Sequence, residues 1–346
     1  MVIKKNIKRA KLFEKETGKK FDYRNQYQVY LDLKKNNKKI TTVVFPYSNP
    51  LKNKFGIFPL GGISNSQTIF CNEGGFYAIY ESDRYGFNNQ DDEWDNKNIE
   101  YFLVGDSFTH GACVERPHDI ASVLRDLSGN NVLNLGYASN GPMMEYAVLR
   151  EYLKPNVKNV LWIYYENDFT DIQNEIYNHF LKAYIKDLNF SQKLRFKQNQ
   201  IDELIQNTLN NEMKNRNISK EKNIINNYYE FIKFSKLRRI IVPVSQKNNL
   251  KKILKLAKDL TNKNNSNFSL IYLPEYNHSK KKFVNKNYRT IKKIVNELDI
   301  QMIDIYKEVF QKQKDPLIFF PLRLEGHYNE TGYKKIAETI YDSLKE

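Results

Sequence analysis

From about residue 98 to the end of the chain, short apolar runs alternate with stretches whose apolar residues recur every three or four positions. No other feature limits the fold as strongly. The runs at 100–104, 131–135, 159–165, 268–273 and 301–306 have the length and composition of buried strands. Between them lie four helical stripes. Met144, Val148 and Tyr152 form one, and Leu250, Ile253, Ala257 and Leu260 another. Ile291, Ile294, Val295 and Leu298 form the third, and Ile336, Ala337, Ile340 and Leu344 the last. A strand apolar on both faces needs a helix on each side, and strand–helix–strand repeats join parallel neighbours. The expected class is α/β: three layers, α/β/α, around a mainly parallel five-stranded sheet.

Two regions break the alternation. Residues 1–97 are tyrosine-rich, with turn signals at Pro46, Pro50, Pro59, Gly61-Gly62 and Gly74-Gly75. They carry short β-like runs such as Thr41 to Phe45 and no long helix pattern. The expectation is an irregular, β-rich extension packed on the main domain of residues 98–346. Asp91 to Asp95 reads as the linker between them. The second interruption, about 171–245, is polar and long-helical. It reads as a helical insertion, and a lid over a cleft and a plain surface insertion stay equally open.

The net charge is +15. Lysine, asparagine, isoleucine and tyrosine are used heavily throughout, so the charge reads as a bias of the whole chain. No zinc-finger, RNP or helix-turn-helix pattern accompanies it, and no nucleic acid is expected as a partner. The basic stretch Met1 to Lys20 lacks the apolar core of a signal peptide. It offers at most a peripheral contact to an anionic membrane. No stretch is long and apolar enough to span a bilayer, which makes a cytoplasmic location the default. The two cysteines, Cys71 and Cys113, make neither a disulfide framework nor a zinc pattern. Cys113 is expected to be a small buried hydrophobe. No cofactor or metal is expected, and the oligomeric state is not legible.

Four segments carry chemistry. Gly105-Asp106-Ser107-Phe108-Thr109-His110-Gly111 follows the first strand of the alternation and sets a hydroxyl at the carboxyl edge of a sheet, where ligands bind in open α/β folds. The N–H groups after it open a helix and suit a developing oxyanion. Asn134 to Pro142 is a small-residue turn after the second strand. Tyr164-Tyr165-Glu166-Asn167-Asp168 ends the third strand and brings a neutral amide donor. Glu325-Gly326-His327-Tyr328-Asn329 precedes the last helix and brings an imidazole with a carboxylate two residues upstream. Each has a plain alternative: Asp106, Asn167 and Asn329 are all good helix caps. All four at sheet edges, in this order, argue for one shared site.

In that order the blocks resemble the SGNH (GDSL-like) hydrolases over roughly residues 98–346, outside the insertion. The segment Tyr80 to Asn89 also resembles one found in bacterial members linked to surface polysaccharides. The resemblance implies a flavodoxin-like sheet and an esterase or O-acyltransferase working through an acyl-Ser107 intermediate. His327 would be the base and Glu325 the acid behind it, with Asp304 in reserve. The oxyanion donors would be the N–H of Ser107, the Asn167 amide, and a backbone N–H at Ser139 or Gly141. Three departures stand out. Ser139 and Tyr165 occupy places where the family has glycine, and Glu325 stands in for an aspartate. The implied partner is a small-molecule or carbohydrate acyl ester. The alternatives are an inactive relative serving as a binding or scaffold module, and a charge-driven nucleic-acid binder.

Overall fold

The computed structural model describes residues 2–218, 244–280 and 286–345. The chain opens with two helices, Val2–Thr17 (α1) and Gln26–Lys34 (α2). Three short strands follow: Ile40–Thr42 (β1), Gln67–Ile69 (β2) and Ile79–Glu81 (β3). They form a small sheet in which β1 and β2 are parallel and β3 is antiparallel to β2.

The main sheet consists of Ile99–Gly105 (β4), Val132–Asn134 (β5), Val157–Tyr165 (β6), Asn267–Leu273 (β7) and Gln301–Asp304 (β8). Its order is β5-β4-β6-β7-β8 and every pairing is parallel. That is the doubly wound order 2-1-3-4-5, whose ligand crevice opens where the winding reverses, between β4 and β6. The helices between and after these strands are Ser107–His110 (α3), Ile120–Ser128 (α4), Pro142–Tyr152 (α5), Asp168–Glu175 (α6), His179–Lys186 (α7), Gln198–Ile218 (α8), Val244–Lys263 (α9), Lys286–Glu297 (α10) and Glu330–Lys345 (α11). Of the expected insertion, residues 219–243 lie outside the described residues.

The two-residue period of the strands divides the core. Phe102, Val104, Val160, Trp162, Leu270 and Tyr272 point to one face, under Met144 and Val148 of α5, Leu250 and Leu254 of α9, and Ile291 of α10. Tyr101, Leu103, Leu161, Ile163 and Ile271 point to the other, under Leu124 of α4 and Ile336 and Ile340 of α11. Each such side chain contributes about 1.5–3 kcal/mol by leaving water, so a one-residue slip of β4 or β6 would forfeit both faces at once.

The structure corrects four expectations. The N-terminal region has helices after all. Ala10 and Phe13 of α1 pack on Phe21 and Leu322, while Asn25 and Gln28 close a capping box that starts α2. Asp91–Asp95 is no linker: it is a 3₁₀ turn with Glu93 and Trp94 buried, and Trp94 Nε1 donates to Asp83 at 2.7 Å. The last strand ends at Asp304, whose Oδ1 accepts from the N–H of Lys307 at 3.1 Å and turns the chain into the π-helical segment Tyr306–Phe310. Finally, Cys71 and Cys113 are joined as a disulfide across 42 residues of sequence.

Candidate active site

β4 delivers Ser107 to the crevice. Gly105 allows the close turn: a Cβ there would meet Thr109 Oγ1 at 2.0 Å and the Ile163 carbonyl at 2.7 Å. Asp106 caps α3 through a 2.8 Å bond from the Phe108 N–H. Gly111, at φ +84°, ends that helix after one turn. Ser107 is thus the first residue of α3, and its own N–H has no carbonyl to bond within the helix.

His327 approaches from the loop before α11. Its Nε2 lies 2.9 Å from Ser107 Oγ. The ring packs at 4.7 Å on Phe108, which is stacked in turn on Tyr165 at 3.8 Å. Tyr165 therefore buttresses the ring that buttresses the histidine.

The carboxylate behind His327 is Glu73, not Glu325. Glu73 Oε1 stands 3.4 Å from His327 Nδ1, and Oε2 accepts from the His327 backbone N–H at 2.7 Å. Arg9 of α1, almost fully buried, lies 3.6 Å from Glu73 Oε2 and donates to the Glu325 carbonyl at 2.6 Å. Burial alone would raise the Glu73 carboxyl, but the His327 ring and Arg9 outweigh it and hold the group at about 2. Gly326 makes room, since a Cβ there would sit 2.1 Å from Glu73 Oε2. The Glu325 carboxylate instead acts on Tyr276, whose phenol is raised first by burial and then by that charge. Asp304 is taken up at the end of β8 by Tyr288 and Lys307.

The expected oxyanion donors divide. Gly141 donates its N–H to Glu175 Oε1 at 3.0 Å, and Met143 and Met144 donate to the same carboxylate. Glu175 therefore caps the start of α5. Burial raises its carboxyl to about 8, even against those three N–H bonds. Ser139 is exposed and sits at φ +68°, the left-handed region that glycine usually fills. Asn167 starts α6, and its Nδ2 donates to Asp171 at 2.7 Å. An amide has two N–H bonds, so that contact leaves one.

Around these groups runs a scaffold that the sequence reading missed. Asn134 donates to the Thr109 carbonyl at 2.8 Å and accepts from Gly136 N–H, tying the second block to the first. His110 Nδ1 accepts from Ala138 N–H at 3.2 Å, so its proton sits on Nε2, 2.7 Å from Tyr80 OH. Burial drives this imidazole down to about 3, so it stays neutral. The Tyr80–Asn89 segment is part of the same brace. Buried Asp83 accepts from Tyr85, Phe87, Asn89 and Trp94, and Asn89 bonds both backbone groups of Asn134.

No protein-family model matches the sequence, and no curated protein does either. Solved structures similar to it include a member of the lipolytic protein G-D-S-L family from Veillonella parvula, at 13% identity, 72% of this chain, 99% of that chain and TM-score 0.40. Another is the lipase/acylhydrolase from Enterococcus faecalis, at 11% identity, 71% and 95% coverage and TM-score 0.40. A third is Axe2, an acetylxylan esterase from Geobacillus stearothermophilus, in a catalytic mutant, at 13% identity, 72% and 97% coverage and TM-score 0.39. All three likenesses are remote.

Proposed function

We propose that the chain is a serine-dependent carboxylic-ester hydrolase in which Ser107, His327 and Glu73 act in line. The observation that carries this reading is the 2.9 Å contact of Ser107 Oγ with His327 Nε2, backed by Glu73 on Nδ1 at 3.4 Å. A serine hydroxyl is a weak nucleophile near neutral pH and needs a base within hydrogen-bond reach. His327 takes the proton as Oγ attacks the ester carbonyl. Glu73, already ionised, holds the Nδ1–H tautomer and stabilises the imidazolium as it forms. The N–H of Ser107 and the remaining amide N–H of Asn167 bind the oxyanion, each worth ~3–4 kcal/mol in a site of this kind. His327 then returns the proton to the leaving alcohol. An acceptor then gives its proton to His327 and attacks acyl-Ser107; the acyl–Oγ bond breaks, His327 returns the proton to Ser107 Oγ, and the acyl group leaves on the acceptor. With water as acceptor this is hydrolysis, and with a sugar hydroxyl it is O-acyl transfer.

For the substrate we propose an acyl ester of a small molecule or of a carbohydrate, O-acetylated surface polysaccharide included. This rests on the resemblance of the four blocks. The Tyr80–Asn89 segment adds little weight, because its contacts brace the site.

The test is a fluorophosphonate probe followed by a panel of aryl esters of rising chain length and of sugar acetates. Stoichiometric labelling at Ser107 with ester turnover supports the reading. An unlabelled Ser107 in folded protein returns the chain to the scaffold alternative.

A further inference from the structure

We propose that Cys71, Cys113 and His327 form a redox-gated site for a soft divalent cation, zinc above all, and that the bound cation silences Ser107. The metal capture stands on the side chains alone, while the silencing rests on the hydrolase reading above.

The disulfide lies against the histidine that Ser107 contacts. Cys113 Sγ is 3.8 Å from His327 Nδ1. The two sulfurs and one ring nitrogen of His327 all lie within 4.8 Å of one another. Tetrahedral zinc with Zn–S near 2.3 Å and Zn–N near 2.0–2.1 Å has donor-to-donor edges of about 3.5–3.8 Å. The spacing of Cys113 Sγ from Nδ1 already has that size, and cleaving the disulfide frees Cys71 Sγ to part from Cys113 and settle at the same edge. Glu73 Oε1, 3.4 Å from Nδ1, or a water fills the fourth position. Two thiolates and an imidazole suit zinc better than the hard cations magnesium and calcium. His327 is about a quarter exposed and Cys71 is half-buried, so the pair can be reached from solvent.

The gating follows from the chemistry of the pair. In the disulfide neither sulfur is a thiolate ligand. Two thiols of a reductant supply two electrons and two protons: their own disulfide forms, the Cys71–Cys113 bond breaks, and two cysteine thiols result. Zinc then binds and expels both thiol protons. The silencing follows from the tautomer. A neutral imidazole that binds metal through Nδ1 carries its proton on Nε2. Nε2 then meets Ser107 Oγ as a donor and cannot take the hydroxyl proton. The metal also takes Nδ1 from Glu73. Disulfides persist in oxidising compartments and are reduced in most cytosols, so the site would report where the chain resides.

The experiment uses the full chain, reduced by a phosphine that takes up an oxygen from water as it passes two electrons to the disulfide. Cobalt(II) is the binding probe. We expect about one cobalt per reduced chain, with thiolate charge-transfer absorption that zinc displaces, and no such band in the oxidised chain. C71S and C113S should lose the band while keeping their far-ultraviolet dichroism, and fluorophosphonate labelling of either should not respond to zinc. In reduced wild type, zinc should cut Ser107 labelling at least tenfold and a chelator should restore it. A reduced chain that shows no thiolate band with cobalt, folded or not, overturns the site. Metal bound with labelling undiminished overturns the silencing. If the oxidised chain itself resists the probe, the hydrolase reading fails, and the cobalt band still decides the metal site.

Discussion

Glu73 and His327 are 254 residues apart in the chain, and their side chains meet at 3.4 Å. The contact makes the loop after β2 a part of the site. Glu73 follows two residues after Cys71, and Cys113 follows six after Ser107, so the disulfide fastens the acid's loop to the nucleophile's loop. Arg9 of α1 clamps the same carboxylate from outside.

The acid is the first thing to test. E73A should lower kcat for an aryl ester by roughly 10²–10⁴-fold, because the imidazole loses both its tautomer and its counter-charge. E325Q should stay within about threefold of wild type, a surface-scale effect. Steady-state kinetics on the two variants discriminate, and the reverse ranking would restore Glu325 as the acid.

Ser107→Ala and His327→Ala should each reduce turnover by about 10³-fold or more, and the double variant by scarcely more than either, since the groups act as one unit. Additive losses in the double variant would mean that they do not work on the same proton.

Gly326→Ala places a methyl 2.1 Å from Glu73 Oε2. The carboxylate must move off Nδ1. The expected result is a loss of kcat of at least tenfold with a circular dichroism spectrum like wild type, because Gly326 lies in a loop at the site rather than in the core. Full activity in this variant would show that the Glu73 contact is dispensable.

Glu73 also gives the fold a pH signature. Its carboxyl is held at about 2 in the folded chain against an ordinary 4.5. A lowered acid stabilises the fold above its unfolded value, and that contribution fades as pH falls from about 4.5 towards 2. The full effect is at most about 3 kcal/mol. Urea unfolding of E73Q should therefore depend less on pH across that window than wild type does. Parallel curves would contradict the contact.

Glu175 has the opposite sign. Its carboxyl is raised to about 8 by burial, against an ordinary 4.5. A raised acid favours the fold most below pH 4.5, and that advantage is lost as pH climbs towards 8. E175Q should flatten this loss in the melting temperature, whereas E175A should destabilise at every pH by stranding the N–H groups of Gly141, Met143 and Met144. Identical pH slopes in wild type and E175Q would rule the assignment out.

The order of elements in residues 98–346 was legible because it is local. A buried strand or an amphipathic helix announces itself within ten or so residues, and the five strands and four helix stripes lie where the periodicity put them, apart from the end of β8. The meeting of Ser107 with His327 was also within reach, since each block stands at the edge of an element whose position the alternation implies. Tertiary structure alone decided the rest. Glu73 has no periodic neighbour to mark it, and its partner is set by how the small sheet docks on the large one. Among the described side chains of α1, Ala10 and Phe13 are the buried apolar ones, and they are held by Phe21, Leu322 and the ion pair of Arg9. Gly141 and Asn167 have the residue types of oxyanion donors, yet on α6 the Glu175 carboxylate takes the Gly141 N–H and the Asp171 carboxylate takes one of the two Asn167 amide N–H bonds. A donor's chemistry is written in its own residue, but its direction is set by whichever acceptor the folded chain brings within 3 Å, and that acceptor can come from anywhere in the sequence.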